Sequence, residues 1–112
     1  MSQLAKIKCE VCRTGAASAS PEECDRYMQE LPDWKIVKQE NEDRLEREFE
    51  FDDFKKALQF TLEVGRLAEE VDHHPKIVTE YGKVTVTWWT HKIGGLHLTD
   101  FVMAARTDEL FK

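Results

Sequence analysis

The sequence predicts a single α+β domain: one four-stranded antiparallel sheet with helices packed on one face, in the order α-β-β-α-β-β-α. Three observations predict it. Two strand–turn–strand patterns flank one long amphipathic segment. The 112 residues are enough for one hydrophobic core and too few for two. A composition of 41% hydrophobic and 34% charged residues belongs to a chain that buries a core, not to a disordered one.

Residues 1–19 carry Cys9-x-x-Cys12 and end in Thr14-Gly15-Ala16-Ala17-Ser18-Ala19, which reads as a flexible arm in front of a domain at 20–112. Ser20 is a candidate N-cap, Pro21 suits the first helical position, and Glu23 completes a capping box. Cys24, Tyr27, Met28 and Leu31 then follow at helical spacing until Pro32. Trp34 to Lys38 reads as a short strand and Glu40-Asn41-Glu42-Asp43 as a polar turn. From Leu45 to Phe51, apolar Leu45, Phe49 and Phe51 alternate with Glu46, Glu48 and Glu50, the pattern of a half-buried strand. Arg47 interrupts the inner row and is expected at an edge or a subunit contact.

Asp52 is the expected cap of a long helix over 53–71, with Phe54, Ala57, Leu58, Thr61, Val64, Gly65, Ala68 and Val71 on one broad stripe. Pro75 forces an end by His74. Ile77–Tyr81 and Val84–Thr90 form a second hairpin around Gly82-Lys83, with Val84, Val86 and Trp88 on one face. Gly94-Gly95 opens a loop, and a last helix runs from Thr99 to Leu110.

Charge and composition exclude several classes. A net charge of −6 gives no bulk attraction to nucleic acid or to an anionic membrane. No apolar run approaches the ~20 residues of a membrane span, and no secretory leader is recognisable. The expected location is the cytoplasm. The three cysteines, Cys9, Cys12 and Cys24, do not make a disulfide framework. The C-x-x-C pair has no second Cys/His pair nearby to close a zinc site, so a reduced tail is the reading and a metal or redox role the alternative.

The chemistry gathers in Glu69-Glu70-Val71-Asp72-His73-His74-Pro75 and at His91 after the last strand. Glu69 and His73 are four apart, so a helix would set the carboxylate one turn below the imidazole and hold one tautomer of the ring. A helix end and a strand end meeting at one rim would make a polar pocket. Imidazoles there can give and take protons at neutral pH. Taken alone, a His-His pair is more often a surface turn or a helix-end cation. Trp34, Trp88 and Trp89 read as core or sheet-face residues, and His97 as a loop residue without a role. The residues by themselves say only that a pocket with histidines exists.

Glu-x-x-x-His-His-Pro, followed by Tyr81, a strand ending Thr90-His91, then Gly95-Leu96 and Asp100, resembles the pterin-4a-carbinolamine dehydratases, bacterial members in particular. The likeness spans roughly Pro21 to Phe111. It implies dehydration of 4a-hydroxytetrahydrobiopterin to quinonoid dihydropterin and water, which recycles the pterin of aromatic amino acid hydroxylation and links the chain functionally to phenylalanine hydroxylase. It implies His73, His74 and His91 as catalytic residues, and Asp72, His73, His74, Trp89, Thr90, His91 and Lys92 as substrate contacts. Supporting roles fall to Glu69 and Asp100. It implies a homodimer or homotetramer, with pterin as substrate and no metal or organic cofactor. Lys76-Ile77 stands where the family more usually has an acidic-aromatic pair. The alternative is a non-catalytic dimerisation, coactivator or assembly-factor module of the same fold, binding through the Glu46, Glu48, Glu50 face.

Overall fold

A computed structural model of the chain describes residues 21–90 and 96–111. The seven elements are α1 (Pro21–Met28), β1 (Lys35–Gln39), β2 (Glu42–Glu50), α2 (Phe54–Val71), β3 (Lys76–Glu80), β4 (Lys83–Trp88) and α3 (Leu98–Phe111). The strands form one sheet in the order β1-β2-β4-β3, every neighbour antiparallel. Each hairpin thus contributes its second strand to the centre and its first to an edge. The predicted fold class and element order are the ones that form. The arm proposed at 1–19 lies outside the described residues.

Leu45 and Phe49 of β2 and Val84, Val86 and Trp88 of β4 are all buried, on the face that α2 and α3 cover. Ala57, Phe60, Val64 and Ala68 face them from α2, and Phe101, Val102 and Ala105 belong to the same core on α3. Period-two burial on the strands against helical spacing on α2 is the pattern expected when one sheet face packs on helices.

Local chemistry moves several boundaries. α1 ends at Met28, earlier than the apolar spacing implied. Leu31 stays fully buried from the turn beyond it, where its own amide bonds Met28 O and its carbonyl accepts from Trp34 N. The N-cap of α2 is Asp53, not Asp52: its side chain accepts the Lys56 amide at 2.8 Å, while Asp52 instead pairs with the Lys56 ammonium. The second hairpin turns at Tyr81-Gly82, because Glu80 pairs with Lys83 and Gly82 has a φ of 73°. The first turns at Glu40-Asn41, both with positive φ.

Arg47 is not at an edge. It sits on a central strand, on the helix-covered face, where its guanidinium meets Asp108 of α3 at 2.6 Å and lies 4.3 Å over the Phe49 ring. Glu46, Glu48 and Glu50 are likewise on this central strand, on its opposite face.

Candidate active site

α2 carries the site to its place by the way it ends. Asp72 adopts the left-handed region (φ 55°, ψ 42°), and the His73 amide reaches back to Ala68 O at 3.2 Å. This six-to-one closure reverses the chain at once. The helical count of four from Glu69 therefore stops applying before His73. The expected Glu69–His73 pairing does not form: Glu69 Oε2 bonds His74 Nε2 instead.

His73 turns inward. Its ring stacks on Trp88, with centroids 5.7 Å apart and planes 19° from parallel. Trp88 is itself fixed: it is fully buried, and its indole N–H donates to Thr107 Oγ1, which donates in turn to Met103 O. His73 Nε2 lies 2.7 Å from Asp100 Oδ1.

Asp100 is completely buried. Its Oδ2 accepts the Thr90 hydroxyl at 2.7 Å and the His97 amide at 3.0 Å. Three partners engage both oxygens of this buried carboxyl, as the burial of a polar group requires. The N-terminal end of α3 adds favourable dipole orientation. With Asp100 ionised it can only accept, so the His73 proton that faces it is on Nε2. Nδ1 is then the ring atom left for other chemistry.

The two adjacent histidines thus occupy different surroundings. His73 is 17% exposed between an indole and a buried carboxylate, whereas the His74 side chain is 55% exposed beside an exposed Glu69. Asp72 is exposed at the turn itself. The structure brings His73, Asp100 and Thr90 together and sets His74 and Glu69 beside them as a surface pair. Trp89 goes elsewhere: one residue on from Trp88, its ring lies under the Arg44 guanidinium at 4.0 Å, on the other side of the sheet. His91 and Lys92 lie outside the described residues.

Three contributors were not legible beforehand: Trp88 as the wall behind His73, Thr107 as its anchor, and His97. His97 is buried and caps α3, its Nδ1 accepting the Thr99 amide at 3.1 Å. The spacing of His97 to Asp100 is that of a capping box, but histidine is not among the usual N-cap residues, which hides the signal. Among the described residues no three His, Cys, Asp or Glu side chains are grouped so as to hold a metal. Nor is any described helix long and apolar enough to cross a membrane.

The family model described as pterin 4 alpha carbinolamine dehydratase matches residues 17–110. The chain belongs to this family. Among relatives of the pterin-4a-carbinolamine dehydratases, a provisionally named member from Nitrosococcus oceani is 51% identical over 112 residues, covering 100% of this chain and 99% of its own. One from Chlorobium limicola, also provisionally named, is 52% identical over 110 residues, 98% of this chain and 97% of that one. A crystal structure from Brucella melitensis, described as a transcriptional coactivator/pterin dehydratase, superposes with a TM-score of 0.76 at 28% identity, covering 85% of this chain and 99% of that one.

Proposed function

We propose that this family member dehydrates a 4a-hydroxytetrahydropterin to the quinonoid dihydropterin by imidazole acid–base catalysis. The observation that carries the reading is the His73–Asp100 bond, which commits one ring nitrogen to a buried carboxylate and leaves the other without a hydrogen-bond partner among the described residues.

The reaction breaks the C4a–O bond and removes the proton on N5. Hydroxide leaves poorly, so the departing oxygen needs a proton as the bond breaks. His73, aimed by Asp100 and backed by Trp88, takes the N5 proton on Nδ1 in this scheme. A second imidazole, His74 or His91, protonates the leaving oxygen, and water departs. Thr90 acts by holding Asp100. Asp72, His74, His91 and Lys92 contact the pterin, and Glu69 orients His74. Trp89, turned to the other sheet face, serves through its backbone. The step is proton transfer with C–O cleavage, and the scheme assigns no metal or organic cofactor. Pterin-using aromatic amino acid hydroxylation, that of phenylalanine hydroxylase above all, is the proposed source of the substrate, and the cytoplasm the proposed setting. A homo-oligomer is the proposed assembly.

The test follows the 4a-hydroxy intermediate generated by phenylalanine hydroxylase. Purified chain should accelerate its dehydration over buffer, and His73→Ala should lose most of that acceleration, about 10²-fold or more. A wild-type rate equal to that of buffer ends the enzyme reading. The description of the Brucella protein supports a second reading, a coactivator-like binding module. Partner capture that survives His73→Ala together with His74→Ala would separate it from catalysis.

A further inference from the structure

We infer that His97 is a positioning residue: as the N-cap of α3 it holds the first helical turn in the geometry that aims the Asp100 carboxylate at His73. This rests on the dehydratase reading for its kinetic consequence, though not for its structural one.

The argument starts from the orphan amides of a helix N-terminus. α3 begins at Leu98, so the amides of its first turn lie outside the regular helical ladder; that of Asp100 bonds His97 O at 2.9 Å, and that of Thr99 needs an acceptor from elsewhere. The His97 ring supplies one acceptor, Nδ1 to the Thr99 amide at 3.1 Å, with the Thr99 hydroxyl 2.9 Å away. The Asp100 side chain returns the bond by accepting the His97 amide at 3.0 Å. The two arms make a variant of the capping box, with imidazole in place of a hydroxyl and the Thr99 amide, one residue before Asp100, as its donor. An amide can only donate, so the His97 Nδ1 it meets carries no hydrogen, and the neutral ring holds its hydrogen on Nε2.

Asp100 therefore belongs to two constructions. Through Oδ2 it closes the cap of α3 on the His97 amide, and through Oδ1 it meets His73 Nε2. A carboxyl group is planar and rigid, so the direction of one oxygen sets that of the other. If the cap is lost, the first turn of α3 frays, and the His73 partner moves with it. His97 is buried at 4% exposure and has no contact with His73 among its hydrogen bonds, so its influence runs through Asp100. Small displacements of this kind weigh heavily on proton transfer, because the reacting atoms must meet within about 3–3.5 Å.

The experiment is long-range ¹H–¹⁵N correlation of the histidine side chains, with steady-state kinetics alongside. Wild type should show His97 bare at Nδ1 and protonated at Nε2, and His73 likewise fixed with its hydrogen on Nε2. His97→Leu keeps an apolar volume and removes the acceptor. In it the His73 nitrogens should average between tautomers, and kcat should fall by roughly tenfold with KM unchanged, the signature of misplacement and not of lost binding. His97→Asn, whose amide oxygen can accept the Thr99 N–H, should restore both the His73 pattern and kcat. An unaltered His73 spectrum in folded His97→Leu overturns the inference. So does a wild-type His97 protonated on Nδ1, a result that decides the matter even if the leucine variant does not fold. Absence of dehydratase activity in wild type would overturn the proposed reaction alone, since the spectra read the geometry directly.

Discussion

Asp100 is the residue on which the site turns. A fully buried carboxylate is tolerable only with its lone pairs engaged, and here His73, Thr90 and the His97 amide engage them. Asp100→Asn preserves shape but sets an amide N–H2 against groups that also donate. It should cost about 2–3 kcal/mol of stability, read as a lowered urea midpoint, and should lower kcat more than it raises KM. An unchanged midpoint would mean that the three bonds contribute little. The family resemblance marked His73 as catalytic and Asp100 and Glu69 as supporting positions of the candidate site, and the residue spacing paired Glu69 with the wrong ring. The i, i+4 rule holds only while the helix lasts, and the left-handed turn at Asp72 ends it one residue before His73. Nothing short of the backbone path could have shown that. The loss of Trp89 to the opposite face was legible, because strand alternation already separated it from Trp88.

Among the elements, the strands and α2 were legible because period two and period 3.6 are strong signals over five or more residues. Their ends were less so, since single hydrogen bonds set them. Gly82 illustrates the scale. Its φ of 73° suits glycine, and a Cβ there would meet Phe51 O at 3.1 Å while the Phe51 amide bonds Gly82 O at 2.9 Å. Gly82→Ala should therefore destabilise by about 1–2 kcal/mol, measurable as a fall in Tm, with the β3–β4 hairpin the first region to lose amide-exchange protection.

A second element-level device ties α3 to β2. Asp108 accepts from the Trp34 indole at 2.8 Å and from Arg47 at 2.6 Å. Burial nevertheless pushes the Asp108 carboxyl above its ordinary 3.8, outweighing the downward pull of Trp34 and Arg47. The folded chain thus keeps this proton to a higher pH than the unfolded chain does. The stability it contributes is present in full below 3.8 and is lost as pH rises through the raised value. Asp108→Asn removes the titration. The stability of wild type relative to this variant should fall as pH climbs through that window, by urea midpoints taken at each pH. A difference that is flat or rises across it contradicts the account.

At the scale of the whole molecule, α2 carries an exposed apolar stripe that the described residues leave largely uncovered. Phe54, Leu58 and Leu62 stand four apart on α2, at 44%, 44% and 57% exposure, a continuous stripe beside the face that packs on the sheet. The proposed occupant is the same stripe of a second copy. A two-fold contact joins like to like, and in an antiparallel pairing the Lys55 end of one helix meets the Glu69 end of the other. Replacing Leu58→Glu and Leu62→Glu together sets like charges face to face across that axis. The double variant should run as a monomer by light scattering while keeping its circular dichroism. A wild type that is already monomeric at micromolar concentration removes the contact altogether. His73, Asp100, Thr90 and Trp88 come from one chain and meet through bonds internal to it. Dissociation should therefore leave kcat close to the wild-type value and lower Tm, because the contact between the two helices is lost. A collapse of kcat on dissociation would show instead that the pocket is finished by a neighbouring chain.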